Sequence, residues 1–167
     1  LYDYFRSSAA YRVRIALRLK KLDYQQIPIH LIKDGGQQFK PEYRAVNPQA
    51  RVPSLDVDGK VFTQSMAIIE YLDEKYPNPP FLPADAEGRA RARGLAQVIA
   101  CDIHPLNNLA PLNYLKDKMG QDQDAINTWY RHWVETGLEV VERQLQSRPG
   151  RYCHGDSPTM ADCLLVP

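Results

Sequence analysis

Prolines at positions 77, 79, 80 and 83 divide this 167-residue chain into two stretches with different hydrophobic periods. Proline offers no backbone N–H and its ring blocks the preceding turn, so neither a helix nor a central strand runs through such a segment. Residues 77–85 therefore read as a linker. On one side lies a region of short elements, 1–76, and on the other a region of long ones, 86–167.

Before the break, Leu1 to Phe5 reads as a short strand leading into Arg6-Ser7-Ser8. Ala9 to Lys20 then places Val13, Ala16, Leu17 and Lys20 at helical spacing, with Arg12, Arg14 and Arg18 on other faces. Ser7 or Ser8 stands where a cap is needed, because a serine hydroxyl accepts from an otherwise unsatisfied N–H. Tyr24 to Leu31 alternates and is rich in β-formers, which predicts a second strand ended by Asp34-Gly35-Gly36. Gln37 to Arg44 reads as a short irregular helix. Asp58-Gly59 separates two β-rich runs, Val52–Val57 and Lys60–Thr63, and is a strong hairpin signal. Ser65 opens a third helix with Met66, Ile69 and Leu72 along one face. The order β-α-β-α-β-β-α predicts a small mixed sheet with helices packed on it.

Beyond the break the period is helical throughout. One helix is expected from Ala86 to about Lys118, one from Asp122 to about Gln146, and one from about Thr159. Thr159-Met160-Ala161-Asp162 has the form of a capping box with Asp in the acidic slot. A helix just begun there does not end at Pro167, so the chain is expected to continue and the helical domain to be incomplete. The absent initiator methionine likewise suggests a start inside the gene product. The fold class is α/β followed by all-α.

Charge narrows the function. With 21 basic and 20 acidic residues the net charge is +1, and no basic stripe with interleaved aromatics occurs, which argues against a nucleic-acid partner. Three cysteines, Cys101, Cys153 and Cys163, are too few for a disulfide framework and fit a reducing compartment. No apolar run approaches a membrane span and the first residues lack a signal-peptide layout, so the expected address is the cytoplasm. His104 with Asp102 lacks the ligand number and spacing of a metal site, and none is expected.

Four motifs in the right order carry a family resemblance. Ser7-Ser8-Ala9-Ala10-Tyr11-Arg12-Val13-Arg14-Ile15-Ala16-Leu17 is similar to the S-S-C-x-W-R-x-R-I-A-L signature of zeta-class glutathione transferases. Asn47-Pro48-Gln49 followed by Val52-Pro53, and Gln64-Ser65 opening the helix through Leu72, match that family's glutathione-site segments. Cys101 to Leu109 resembles its first long helix. Ala9 stands where the signature has cysteine and Tyr11 where it has tryptophan, departures that bear on substrate preference.

The resemblance implies a thioredoxin-like glutathione-binding domain, a helical domain and a homodimer. It also implies glutathione-dependent cis–trans isomerisation of maleylacetoacetate to fumarylacetoacetate, in aromatic amino acid catabolism. Maleylpyruvate isomerisation, or general conjugation of electrophiles, is the alternative within the enzyme class. A non-catalytic protein that keeps the fold alone is the alternative outside it. Thiol–disulfide exchange is rejected, because no cysteine stands at the first helix N-terminus.

Isomerisation of a conjugated enone-acid needs a nucleophile that adds, permits rotation and leaves, and a thiolate does all three. The protein's task is to hold glutathione and keep its sulfur ionised. A hydroxyl at a helix N-terminus serves, by donating to sulfur where the macrodipole is positive. Ser7 is the first choice for this role and Ser8 the second, while simple capping competes for both. Proline at a strand start is a site for a cis bond, and the resemblance implies that Pro53 is cis and that Val52 pairs with the cysteinyl part of glutathione. The N–H groups after Gln64 and the Ser65 hydroxyl form a seat for a carboxylate, by resemblance the γ-glutamyl one. Gln38 is carried over as a further contact. His104 and Asn108, four apart, are expected on one helix face near the site. Arg6 and Arg12 flank the serines and are the candidates for the carboxylates of a small dicarboxylate-type substrate; salt bridging is the expectation for Arg14 and Arg18.

Overall fold

The structure, a computed structural model, describes every residue from Leu1 to Pro167. It comprises two compact units, Leu1–Phe81 with Val166–Pro167, and Leu82–Leu165.

The first unit is built on a four-stranded sheet. Strands β1 (Tyr2–Asp3), β2 (Ile27–Pro28), β3 (Ser54–Val57) and β4 (Lys60–Thr63) lie in the order β2-β1-β3-β4. β1 runs parallel to β2 and antiparallel to β3, and β3 pairs antiparallel with β4 from Ser54↔Thr63 to Val57↔Lys60. The hairpin turn forms at Asp58 and Gly59, both at positive φ (54° and 79°), and Asp56 Oδ1 accepts from the Gly59 N–H at 2.8 Å.

Helix α1 (Ser8–Leu19) buries Val13, Ala16 and Leu17, as its spacing predicts, and with them Ala10 and Arg12, the latter expected on another face. Helix α2 (Pro41–Val46) is preceded by two single 3₁₀ turns, Lys33–Gly35 and Gln37–Phe39. Helix α3 (Ser65–Lys75) buries Ile68, Ile69 and Leu72, whereas the expected Met66 is only half-buried. The second strand is much shorter than its alternating pattern suggests. Only Ile27 and Pro28 pair as strand residues with the two-residue β1, and the Ile29 N–H closes the ladder on the Asp3 carbonyl at 2.7 Å.

The proline-rich segment is fastened to this unit. The Lys20 ammonium donates to Asp73 Oδ1 at 2.6 Å and to the Pro79 carbonyl at 2.5 Å, and it lies 4.1 Å from the Phe81 ring centroid. The Phe81 N–H donates to the same Asp73 oxygen at 2.8 Å.

The second unit is helical: α4 (Ala86–Gln97), a π-helical turn (Val98–Ile103), α5 (His104–Asn107), α6 (Leu109–Asp117), α7 (Gln123–Gln146) and α8 (Met160–Leu165). The single helix expected over 86–118 is thus broken twice. Pro105 has no N–H for the Cys101 carbonyl, so the preceding turn widens, with the His104 N–H bonded to Ile99 five residues back. Asn108 is extended (φ −78°, ψ 164°) and its Oδ1 accepts from the Leu109 N–H at 2.7 Å. Pro111 then falls in the first turn of α6, where a missing N–H is harmless. Gly137 lets α7 approach the widened turn, since a Cβ there would stand 2.2 Å from Ile103 Cγ1.

Asp162 takes the capping position its motif predicts, and Asp85, at the end of the linker, is a second acidic cap. Asp85 Oδ1 accepts from Gly88 N–H at 2.7 Å, a bond that holds its carboxyl below the ordinary aspartate range. Asp162 does more than close a box. Its Oδ2 accepts from the Thr159 N–H (2.7 Å) and hydroxyl (2.8 Å), and its Oδ1 accepts from the Cys153 N–H at 2.9 Å, tying the loop before α8 to the helix. Asp162→Ala is expected to cost about 2–3 kcal/mol, more than an ordinary cap, because buried donors lose their acceptor. Chemical denaturation measures this, and a loss under half a kcal/mol would contradict it.

Candidate functional site

In the first unit, the turn from β1 into α1 carries the serines. Ser7 is the N-cap of α1: its Oγ accepts from the Ala10 N–H at 3.2 Å, and its own N–H reaches the Tyr4 carbonyl at 2.8 Å. A hydroxyl that accepts at oxygen still has its proton to donate. Capping and activation of a ligand therefore coexist on one serine. Ser8 is the first helical residue and is half-buried.

Ala10, whose N–H closes that cap, packs in one apolar cluster with Tyr4, Tyr43 and Val52, joined by Ile29 and Leu31. The cluster brings the serine turn to the entry of β3, where the Val52–Pro53 peptide is cis, as the resemblance implies. Val52 precedes the paired residues of β3 by two, so its N–H and C=O stand outside the sheet ladder. This approach is held from beneath by a polar bracket. The Tyr43 hydroxyl donates to the Arg51 carbonyl at 2.6 Å, and Asn47 Nδ2 donates to the same carbonyl at 2.8 Å and to Ser54 Oγ at 3.2 Å. Burial, partly offset by its bonds to Ser54 and Asn47, pushes the Tyr43 phenol above its ordinary value, so it remains a donor. Asn47 is 1% exposed and Ser54 fully enclosed. Sequence reasoning assigned no role to Tyr43 or Ser54; the Asn-Pro-Gln motif was the visible signal for this bracket.

Gln64 caps α3 with φ 69° and ψ 116°, a left-handed backbone that points the chain sharply into the helix. Its Nε2 donates to Gln49 Oε1 at 2.9 Å, joining α3 to the Asn47–Gln49 segment. Ser65 is 6% exposed, and its Oγ accepts from Arg12 Nη1 at 3.2 Å. The arrangement at Ser7 is repeated: the oxygen is occupied by the protein and the proton is left to donate, here with a guanidinium behind it. Arg12 is 3% exposed, which corrects its expected role. It braces the Ser65 seat instead of standing open to a substrate carboxylate, because the α1 face that buries Val13 and Ala16 carries Arg12 inward too. Arg6 is exposed beside the serines. Arg14 pairs with Asp3 at 3.1 Å and lies 4.8 Å over Tyr11, matching its expected salt-bridge role.

Gln38 is buried, at 6% exposure. Its Nε2 donates to the Leu31 carbonyl at 3.0 Å, while its Oε1 is enclosed without a partner. The serine hydroxyls, the Val52 backbone, the Ser65 hydroxyl and this orphaned acceptor are all in the first unit.

His104 and Asn108 lie in the second unit, His104 at the start of α5 and Asn108 between α5 and α6. They do not share a helix face, since the chain turns extended at Asn108; Pro105 and Pro111 were the signals for that break. The three cysteines also belong to the second unit. Cys153 is buried, and desolvation first, then Asp162, push its thiol up to about 12. No protein thiol stands at the α1 N-terminus, so a thiol reacting there comes with the ligand.

Comparison with known proteins gives this arrangement a setting. Residues 1–80 match the family described as glutathione S-transferase, N-terminal domain. The chain is 53% identical over 168 residues to a maleylacetoacetate isomerase of Pseudomonas aeruginosa, covering all of this chain and 78% of the relative. Its backbone is similar, with a TM-score of 0.96 and 48% identity, to a holo maleylpyruvate isomerase described as a bacterial zeta-class glutathione S-transferase, over 99% of this chain and 78% of that one. A maleylacetoacetate isomerase from Methylobacterium extorquens AM1, solved with bound malonate and glutathione, gives a TM-score of 0.92 at 43% identity, over 98% of this chain and 77% of that one.

Proposed function

The chain belongs to the glutathione transferase family, in its zeta class, and we propose on that premise that it isomerises maleylacetoacetate to fumarylacetoacetate with glutathione as co-substrate. The observation that carries the reading is the Ser7 hydroxyl. It caps α1 through its oxygen and keeps its proton, and the residue it caps, Ala10, packs in one cluster with Val52, whose peptide bond to Pro53 is cis.

When bound, glutathione supplies a thiolate able to add to the activated double bond and to depart after rotation. Ser7 donates its proton to that sulfur, and the N-terminal N–H groups of α1 add positive potential, so the ionised form is favoured near neutral pH. Ser8, one residue on, is the second donor within reach of the same turn. Val52 pairs its free N–H and C=O with the cysteinyl backbone, in the manner of an added strand. Ser65 and the first N–H groups of α3 hold the γ-glutamyl carboxylate, with the Arg12 guanidinium behind them lowering the cost of burying that charge. Gln64 sets the angle of this seat. The enclosed Oε1 of Gln38 accepts from an N–H of the tripeptide. Arg6, exposed beside the serines, binds a substrate carboxylate.

Maleylpyruvate is the second reading, favoured by the TM-score of 0.96 to an isomerase of that substrate. Steady-state assays of the purified protein with maleylacetoacetate, maleylpyruvate and a chloro-acid, each with glutathione, decide between them. The higher kcat/KM is expected for maleylacetoacetate. Equal or greater efficiency with maleylpyruvate would transfer the assignment, and turnover of neither would remove it. The proposal includes a homodimer, which sedimentation tests, and a cytoplasmic address, supported by a cysteine content too low for a disulfide framework.

A further inference from the structure

The segment between β2 and α2 has no long element of its own, yet it carries Gln38. Two side chains, those of His30 and Gln37, hold it. His30 Nδ1 accepts from the Lys33 N–H at 3.0 Å and, more weakly, from the Ile32 N–H at 3.4 Å. The His30 backbone closes the other end: its N–H donates to Gln37 Oε1 at 2.8 Å, and its carbonyl accepts from the Gln37 N–H at 2.9 Å. Residues 30–37 thus form a hydrogen-bonded ring. Gln38, the next residue, returns across it to the Leu31 carbonyl. Gly36 allows that return, since a Cβ there would lie 2.7 Å from Gln38 Nε2.

The other side of the imidazole faces the serine turn. Its ring packs against Tyr4 at 4.9 Å and Phe5 at 6.3 Å between centroids, the two residues just before Arg6 and Ser7. One histidine therefore touches both the segment that delivers Ser7 and the segment that delivers Gln38. An aromatic ring alone would give the packing. An acceptor on the ring is needed to hold the Lys33 turn, and that need selects histidine over phenylalanine or tyrosine.

We propose that His30 is a positioning residue for glutathione: through its acceptor nitrogen it fixes the 30–37 ring and with it the Gln38 side chain. The inference rests on the reading of Gln38 as a glutathione contact. It concerns affinity for the tripeptide and not the chemical step, because His30 reaches neither serine hydroxyl by a hydrogen bond.

Three variants separate the ring from the acceptor. H30F keeps an aromatic ring and loses the acceptor; H30N keeps a short acceptor and loses the ring; Q38L removes the contact itself. Calorimetric titration with glutathione is expected to show Kd raised about three- to tenfold in H30F and in Q38L, the loss of one hydrogen bond's worth of placement. H30N should stay within about twofold of the parent, and kcat at saturating glutathione should change little in H30F. Should H30F fail to fold, Q37L removes the acceptor at the other end of the ring, and the same rise is expected from it.

The outcomes separate two failures. Parental affinity in H30F, or in Q37L where that variant stands in for it, together with weak binding in Q38L overturns the positioning role and leaves the Gln38 contact standing. Parental affinity in Q38L overturns the contact, and the inference falls with it. A kcat loss in H30F with unchanged Kd also overturns it, because His30 would then act on chemistry or on the fold at large.

Discussion

Ser7→Ala is expected to lower isomerase turnover about a hundredfold or more while glutathione still binds, the usual effect of removing one preorganised donor to a developing or held charge. The thiolate absorbance of the bound complex should fall in parallel, because the sulfur loses the proton donor that keeps it ionised near neutral pH. Ser7 has two jobs in the structure, so the variant also loses the cap on α1, worth about 1 kcal/mol. Ser7→Gly separates them. Glycine is nearly as good a cap as serine, so that variant should melt close to the parent yet turn over as poorly as alanine. Parental turnover in both, with Ser8→Ala crippled, would assign the activating hydroxyl to Ser8. Parental turnover in all three would remove serine activation from the mechanism.

Asp73→Ala is expected to destabilise the protein by about 3–5 kcal/mol, the largest stability effect of any single substitution considered. Lys20 has a fully buried side chain, and its charge is answered by the Asp73 carboxylate, the Pro79 carbonyl and the face of Phe81. Removing the carboxylate leaves an ammonium in a closed space and orphans the Phe81 N–H as well. The same physics predicts that taking away both charges costs less than taking one. A K20M/D73L variant should recover a substantial part of the loss, since the remaining methylene and methyl groups still fill the site. Guanidinium unfolding of the three proteins measures this. A loss below about 1 kcal/mol for Asp73→Ala would mean that water reaches the pair and that the segment 79–81 is not locked by it.

What was legible in the sequence was local. Asp58-Gly59 makes its turn because both residues tolerate positive φ, a property that needs no neighbour beyond the adjoining strands. Ser7 and Asp162 cap helices for the same reason: the acceptor and the donor it satisfies lie within three residues. The apolar residues of the buried face of α1 followed from spacing, and Arg12 did not. Pro105 and Pro111 were equally local signals of the break at Asn108, and the apolar period around them masked it.

The remainder depended on partners distant in the chain. Whether Arg12 faces a substrate or Ser65, fifty-three residues on, is decided by how α1 lies against α3. Alternation could not limit the second strand to Ile27 and Pro28, since a strand is only as long as the edge it meets. His30 looks unremarkable in the sequence until its ring and its backbone close on Gln37 and Tyr4. Caps, turns and helix faces were settled by the chain itself, because their energies are short-ranged and paired within a few residues. The burial of Lys20 against Asp73 and the meeting of Ala10 and Tyr4 with Tyr43 and Val52 were decided only by tertiary packing, which brings together groups that no local period relates.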